Sequence, residues 1–214
     1  MDSFDLFEVA GAQLRLGSHA ALLHGFALPD VGELVPAIAG IEAASPLRHM
    51  VTPGGLPMSV MSTSCGMLGW VTDERGYRYT SVDPESRKPW PVMPEVFASL
   101  AIRAAAEAGF PGFEPDACLI NHYAPGARMS LHQDKDEQDF GAPIVSVSLG
   151  MSATFLFGGQ ERSDRAARVP LHHGDVVVWG GADRLRYHGI MPLKDVPHPM
   201  MGSERINLTF RKAG

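Results

Sequence analysis

The stretch IVSVSLGMSATFLF, residues 144–157, decides the fold class. A run rich in β-branched residues reaches a Gly150-Met151-Ser152 break, and a second apolar run follows, the pattern of two strands joined at a turn. The same grammar extends both ways. Upstream lie ACLINHY (117–123) and ARMSLHQ (127–133); downstream lie RVPLHH (168–173), DVVVWG (175–180), YHGIM (187–191) and RINLTFR (205–211). Each is short and bounded by Gly, Pro or Asp. Eight such strands in about a hundred residues predict a sandwich, barrel or jelly roll.

The first half of the chain reads differently. PEVFASLAIRAAAEAG (94–109) is the clearest helix, with Val96, Phe97, Leu100, Ala101, Ala104, Ala105 and Ala108 on one stripe and Gly109 and Pro111 ending it. Residues 50–92 are rich in Gly, Pro, Ser and Thr, with strand-like pieces MSVMSTS, LGWVT and YRYTS. Asp30 and Glu33 suggest a capping box opening a helix to about residue 44. Residues 1–28 read as irregular, with short strands AQLRLG and AALLHGFAL. The expected organisation is a single catalytic domain over 1–214: an N-terminal extension with a helix (1–45), a turn-rich segment (46–92), a supporting helix (93–112) and a β core (113–214).

Composition narrows the function. Two cysteines, Cys65 and Cys118, cannot build a disulfide framework, and packed reduced thiols are the simpler reading. The N-terminal MDSFDLFEVAG lacks a basic region and a long apolar run, and no later stretch has the apolar length of a membrane span, so a cytoplasmic address without a membrane partner is expected. A net charge of −6 argues against broad adhesion to duplex DNA, although a local basic groove is compatible with it.

LHQDKDE (131–137) carries the chemistry. His132, Asp134 and Asp136 alternate along an extended chain and share a face. A solvated loop is the bland reading. However, His132 and Asp134 form an H-x-D pair, and His188 opens another strand far downstream. Two histidines and one carboxylate form a facial triad that binds Fe(II) and leaves positions for a co-substrate and O₂; zinc with an activated water is the alternative. On the last strand, Arg205, Asn207 and Arg211 face one way. Two inward guanidiniums on an apolar strand need an anion, supplied by a dicarboxylate co-substrate or by protein acids such as Asp134.

With these blocks in view, the sequence resembles the bacterial AlkB family of Fe(II)- and 2-oxoglutarate-dependent dioxygenases, which repair alkylated bases. NHYAPGARMSLHQDKDE, APIVSVSLG, HGDVVVWGG, YHGI and RINLTFR carry the resemblance in order and spacing. Upstream, VTPGGLPMSV, LGWVTDERGYRY and KPWPVMP extend it over nearly everything after residue 45. The resemblance implies a double-stranded β-helix (jelly roll) core, mainly β with flanking helices, and an N-terminal nucleotide-recognition lid. It implies His132, Asp134 and His188 as iron ligands, and Asn121, Tyr123, Arg205, Asn207 and Arg211 around 2-oxoglutarate, with Arg205 on the distal carboxylate. Trp70 would stack on a flipped base with the His132 ring opposite. Tyr77, Arg78 and Tyr79 fall in the nucleotide-contacting segment, and Asp136 and Arg162 match base- or strand-contacting positions.

The implied reaction is oxidative demethylation of bases such as 1-methyladenine and 3-methylcytosine. It releases formaldehyde and converts 2-oxoglutarate and O₂ to succinate and CO₂. The implied partner is nucleic acid, single-stranded DNA first and duplex DNA or RNA as alternatives, engaged by a monomer. An oxygenase acting on RNA, tRNA or protein, or a binding module without turnover, would share parts of the pattern. Two positions depart from the family: Leu56, where an aromatic is expected, and Arg78, where an apolar residue is expected. His122 and the His172–His173 pair have no matching role and read as structural or surface residues, and Trp179 reads as lining the metal cavity or, more simply, packing beneath it.

Overall fold

The computed structural model describes residues 12–214; the N-terminal MDSFDLFEVAG lies outside them. The chain runs through β1 (Gln13–Arg15), β2 (Ala20–Leu23), α1 (Val31–Ala44), β3 (Arg48–Val51), β4 (Pro57–Gly66), β5 (Gly69–Asp73), β6 (Gly76–Thr80) and α2 (Glu95–Glu107). It continues with β7 (Ala117–Tyr123), β8 (Met129–His132), β9 (Ile144–Gly150), β10 (Ala153–Phe157), β11 (Ala167–Leu171), β12 (Val176–Trp179), β13 (His188–Ile190) and β14 (Arg205–Arg211). Every strand read after residue 116 is present.

Two sheets face each other, as a jelly roll requires. The major sheet has the order β1-β2-β12-β9-β14-β7-β4-β3 and the minor sheet β11-β10-β13-β8; β5 and β6 form a separate hairpin. Alternation decides what each face meets. On β14, Ile206, Leu208 and Phe210 join β9 residues Val145, Val147 and Leu149 in a core with Phe97, Leu100 and Ala104 of α2. The opposite face carries Arg205, Asn207, Thr209 and Arg211, all buried. Phe155, Phe157, Val169 and Ile190 of the minor sheet pack with Ile144, Val177 and Trp179 into a second core between the sheets.

The structure redraws the expected boundaries. Strands β1 to β4 belong to the major sheet, so the β core does not begin at residue 113, and only the β5–β6 hairpin stands apart from the segment expected to be lid. Such pairings join residues distant in sequence, which local patterning does not report. The helix over 31–44 forms, yet the capping box does not: Asp30 makes no side-chain cap bond. A 3-10 turn, Leu28–Asp30, leads straight into α1 and leaves Asp30 in helical backbone geometry, whereas a capping side chain needs an extended one. Its carboxylate accepts instead from Arg103 Nη2 at 2.8 and 2.9 Å, linking α1 to α2.

The hairpin is seated by one tryptophan. Trp90 is buried, donates from Nε1 to the Thr80 carbonyl at 2.9 Å and lies under Arg48, 5.4 Å from guanidinium carbon to ring centre. A Cβ on Gly69 would sit 2.3 Å from the Trp90 ring. Gly69→Ala is therefore expected to cost about 1–3 kcal/mol, the usual range for overpacking. Urea unfolding would show the loss.

Candidate active site

Two strand pairings assemble the site. On the minor sheet, His188 of β13 lies directly opposite His132 of β8. Close approach of these strands requires Gly189, where a Cβ would fall 2.6 Å from the Met129 carbonyl oxygen. On the major sheet, Arg205 pairs with Tyr123 and Asn207 with Asn121, so four polar side chains meet on one face. Residues 133–137, between the sheets, bring in Asp134.

The ligating atoms of His132, Asp134 and His188 lie within 4.8 Å of one another. Asp134 Oδ1 is 3.5 Å from His132 Nε2 and 3.8 Å from His188 Nε2. The other ring nitrogens face carbonyl oxygens: His132 Nδ1 meets Ser130 O at 2.9 Å and His188 Nδ1 meets Arg186 O at 3.0 Å. A carbonyl can only accept, so each Nδ1 carries a proton and each Nε2 faces the centre. Burial lowers the His132 pKa, but Asp134 beside its Nε2 raises it by more, so the metal takes the place of a proton there. Burial and the neighbouring His132 push His188 down to about 4, which keeps it in the neutral, ligating form. Burial alone would raise Asp134, but Arg211 and the two imidazoles hold it well below the usual carboxylate range. Two imidazole nitrogens and a carboxylate oxygen on one side of an open space fit a divalent iron ion.

Arg211 grips that carboxylate from behind, with Nε at 2.9 Å and Nη2 at 2.6 Å from Asp134 Oδ2. Arg205 is different. It is 1% exposed, donates from Nη2 to Ser148 Oγ at 2.9 Å and lies 4.8 Å over the Tyr123 ring, while its Nε and Nη1 have no partner. Burial lowers its pKa. A buried guanidinium with two open donors fits the carboxylate of a co-substrate. Asn207 is held by Ser146 Oγ at 2.8 Å, and Asn121 accepts from Ser62 Oγ at 2.7 Å, so both amides are fixed in place.

One cavity of about 690 Å³ joins these groups to the hairpin. Trp70, Tyr77 and Tyr79 line it, as do Asp136 and Arg162. Trp70 and Tyr77 stack with centroids 5.7 Å apart, and Trp70 Nε1 donates to Asp136 Oδ2 at 2.9 Å. Arg78 does not reach the cavity. Hairpin alternation turns it to the other face, where it holds Asp73 through Nη1 at 2.8 Å and Nη2 at 2.6 Å. Leu56 lines the cavity mouth at 70% exposure, within a turn closed by Thr52–Leu56 bonds. Arg128 and Lys135 add positive charge to the lining of an acidic protein.

Trp179 does both things the sequence allows, and two further residues, Glu137 and Arg184, escape sequence reasoning. Trp179 lines the cavity 4.9 Å from the His188 ring and packs against Phe155, with its buried Nε1 lacking a partner. Glu137 and Arg184 are buried beside Asp134, although the run around Glu137 reads as surface charge. No local signal marks them, because each is buried by the other, from 47 residues away. His122 meets Glu42 at 2.7 Å, and His173 accepts from Gly150 N–H and stacks on His198, outside the cavity.

Comparison with known proteins fits this geometry. The family model of the 2OG-Fe(II) oxygenase superfamily matches residues 19–211. The chain is 56% identical over 211 residues to the alpha-ketoglutarate-dependent dioxygenase AlkB of Escherichia coli (strain K12), covering 98% of each. The chain belongs to the AlkB family. It is also 36% identical to a DNA N(6)-methyladenine demethylase of Arabidopsis thaliana, ALKBH1D, over 95% of this chain and 51% of that protein. The solved structure of OsALKBH1 superposes with a TM-score of 0.81 at 27% identity, covering 94% of this chain and all of that one. As an AlkB-family oxygenase the chain uses Fe(II) and 2-oxoglutarate, for which the triad and the unpaired Arg205 are suited.

Proposed function

We propose that the protein oxidatively demethylates alkylated bases in nucleic acid, with single-stranded DNA favoured, as a single catalytic domain acting as a cytoplasmic monomer. The observation that carries this reading is the shared cavity, in which Trp70, hydrogen-bonded to Asp136, opens onto the space beside His132. Among the described residues no helix is long and apolar enough to cross a membrane.

In this reading His132, Asp134 and His188 hold the iron. Bound iron with 2-oxoglutarate and O₂ would supply the oxidation: one oxygen atom of O₂ goes into succinate as CO₂ is lost, the other into the N-methyl group, and the resulting hydroxymethyl leaves as formaldehyde. Arg205 takes the distal carboxylate, while Tyr123, Asn121 and Asn207 shape the space around it. Arg211 keeps Asp134 ionised and aimed. Trp70 and the His132 ring take the flipped base between them, and Tyr77 extends the aromatic wall. Arg162, Arg128 and Lys135 are placed for the phosphate backbone.

Selectivity follows from charge. Methylation at adenine N1 or cytosine N3 removes the pairing edge, which lowers the cost of extrusion, and makes the ring cationic. Asp136, held by the Trp70 indole, favours that cation by Coulomb attraction, and the indole face adds a cation–π contribution. The demethylated base is neutral and loses both.

Asp136→Asn is expected to lower kcat/KM on 1-methyladenine by roughly three- to thirtyfold, as befits a partly screened charge contact, and to change turnover of a neutral lesion much less. Parallel assays on oligonucleotides carrying each lesion measure it. Equal losses would remove the electrostatic explanation.

A further inference from the structure

Glu137 is 7% exposed, yet the proposed iron, co-substrate and base contacts do not use it. Its Oε1 accepts from the Tyr79 hydroxyl at 2.7 Å and lies 3.4 Å from Arg211 Nε; its Oε2 accepts from Arg184 Nη2 at 3.0 Å. Arg184, also buried, donates through Nη1 to the Asp134 carbonyl at 2.7 Å and through Nε to the Ala142 carbonyl at 3.1 Å. One carboxylate, itself on the loop that carries Asp134 and Asp136, thus touches three other parts of the molecule: the β5–β6 hairpin, strand β14 and the turn before β13 that carries Arg184.

We propose that Glu137 is a positioning residue that latches the hairpin, through Tyr79, onto the loop bearing the iron-ligand carboxylate, and so sets the distance between base slot and metal centre. Tyr79 lies opposite Trp70 in the hairpin register, so fixing its hydroxyl fixes the strand pair that presents the indole. A two-stranded hairpin is marginal on its own and needs such ties. Others are the Trp90 bond at its base, the Thr72 hydroxyl on the Val51 carbonyl at 3.1 Å and the exposed Trp70–Asp136 bond at the slot itself. The Glu137 tie is the one that ends on a buried carboxylate beside the loop bearing Asp134. Burial pushes the Tyr79 hydroxyl well above its ordinary pKa, so it remains a donor throughout the physiological range. Charge within the cluster balances, with Asp134 and Glu137 against Arg184 and Arg211.

The functional importance of the latch rests on the demethylase reading; the latch itself does not. Tyr79→Phe removes one hydroxyl and keeps the ring, so the fold is retained. Amide hydrogen exchange over residues 69–80 is expected to speed up roughly tenfold or more, as for loss of a bond to a charged acceptor. Affinity for 2-oxoglutarate should stay within about twofold, and KM for a methylated oligonucleotide should rise with little change in kcat, because the binding-competent hairpin becomes less populated. Adding Tyr79→Phe to Glu137→Gln should bring little further exchange over residues 69–80, since both act on the hairpin through the Tyr79–Glu137 bond. Wild-type exchange in Tyr79→Phe, or effects that multiply in the double variant, would overturn the latch. If the wild type released no formaldehyde from methylated oligonucleotides, the demethylase reading would fail while the exchange data still decided the latch.

Discussion

Asp134→Ala is expected to abolish turnover and also to destabilise the metal-free protein by about 3–5 kcal/mol, the usual cost of removing one partner from a buried ion pair. One oxygen of Asp134 faces both histidines and the other takes two bonds from Arg211. Its loss leaves a buried guanidinium with only the 3.4 Å contact to Glu137, besides removing a metal ligand. Even outer partners of metal ligands are worth about 10–100-fold, so activity should fall further than that. Urea unfolding of the chelator-treated protein separates the two effects. Because the folded carboxyl is held below its ordinary value, its stabilisation is present at neutral pH and disappears as pH falls below the ordinary carboxylate range through that depressed value. The acid limb of the stability curve should accordingly be shallower in Asp134→Ala. An unchanged limb would place the Asp134 contribution elsewhere.

Arg205→Met is expected to act in opposite directions on stability and function. In the protein without co-substrate, two Arg205 donors are buried with no partner, and a single hydroxyl and the Tyr123 ring do not replace water around a guanidinium. An apolar side chain of similar length should raise stability by about 1–4 kcal/mol, as when buried charge is replaced by packed hydrophobe. The same change removes a desolvated partner for the co-substrate carboxylate, a loss of about 2–5 kcal/mol. The 2-oxoglutarate dissociation constant should thus rise at least tenfold as the thermal midpoint climbs. Calorimetric titration and thermal unfolding read the two quantities. A variant both less stable and unchanged in 2-oxoglutarate affinity would show that Arg205 serves the sheet, not the ligand. The pair of substitutions distinguishes a charge the fold already neutralises, at Arg211, from one left for a ligand, at Arg205.

What the sequence disclosed tracks the range of the interactions involved. Period-two alternation on RINLTFR placed Arg205, Asn207 and Arg211 together, and β14 does carry them on one buried face. The pattern leaves open whether those arginines meet protein acids or a co-substrate; the structure divides them, with Arg211 on Asp134 and Arg205 without an acid, its Nε and Nη1 open. The H-x-D spacing marked two members of the triad, while the register of His132 against His188 is set by β8–β13 pairing and is invisible locally. Arg78 illustrates the limit. It sits between two cavity-lining tyrosines, and only alternation on the hairpin, together with Asp73 five residues back, turns it away. Strand β3 went unread because RHMV is short and lacks a turn-bounded β pattern. Glu137 was hidden for the opposite reason: an acid in a charged run looks solvated until Arg184 and Tyr79 arrive from elsewhere in the chain.

The most direct measurement is made on the iron-loaded protein mixed anaerobically with 2-oxoglutarate and a single-stranded oligonucleotide bearing 1-methyladenine, with O₂ then admitted. Succinate, formaldehyde and unmethylated adenine should appear in equal amounts, and none should form with His132→Ala. Succinate formed with the methyl group retained would place the iron site correctly and contradict the substrate; absence of succinate with every substrate would contradict the oxygenase chemistry itself.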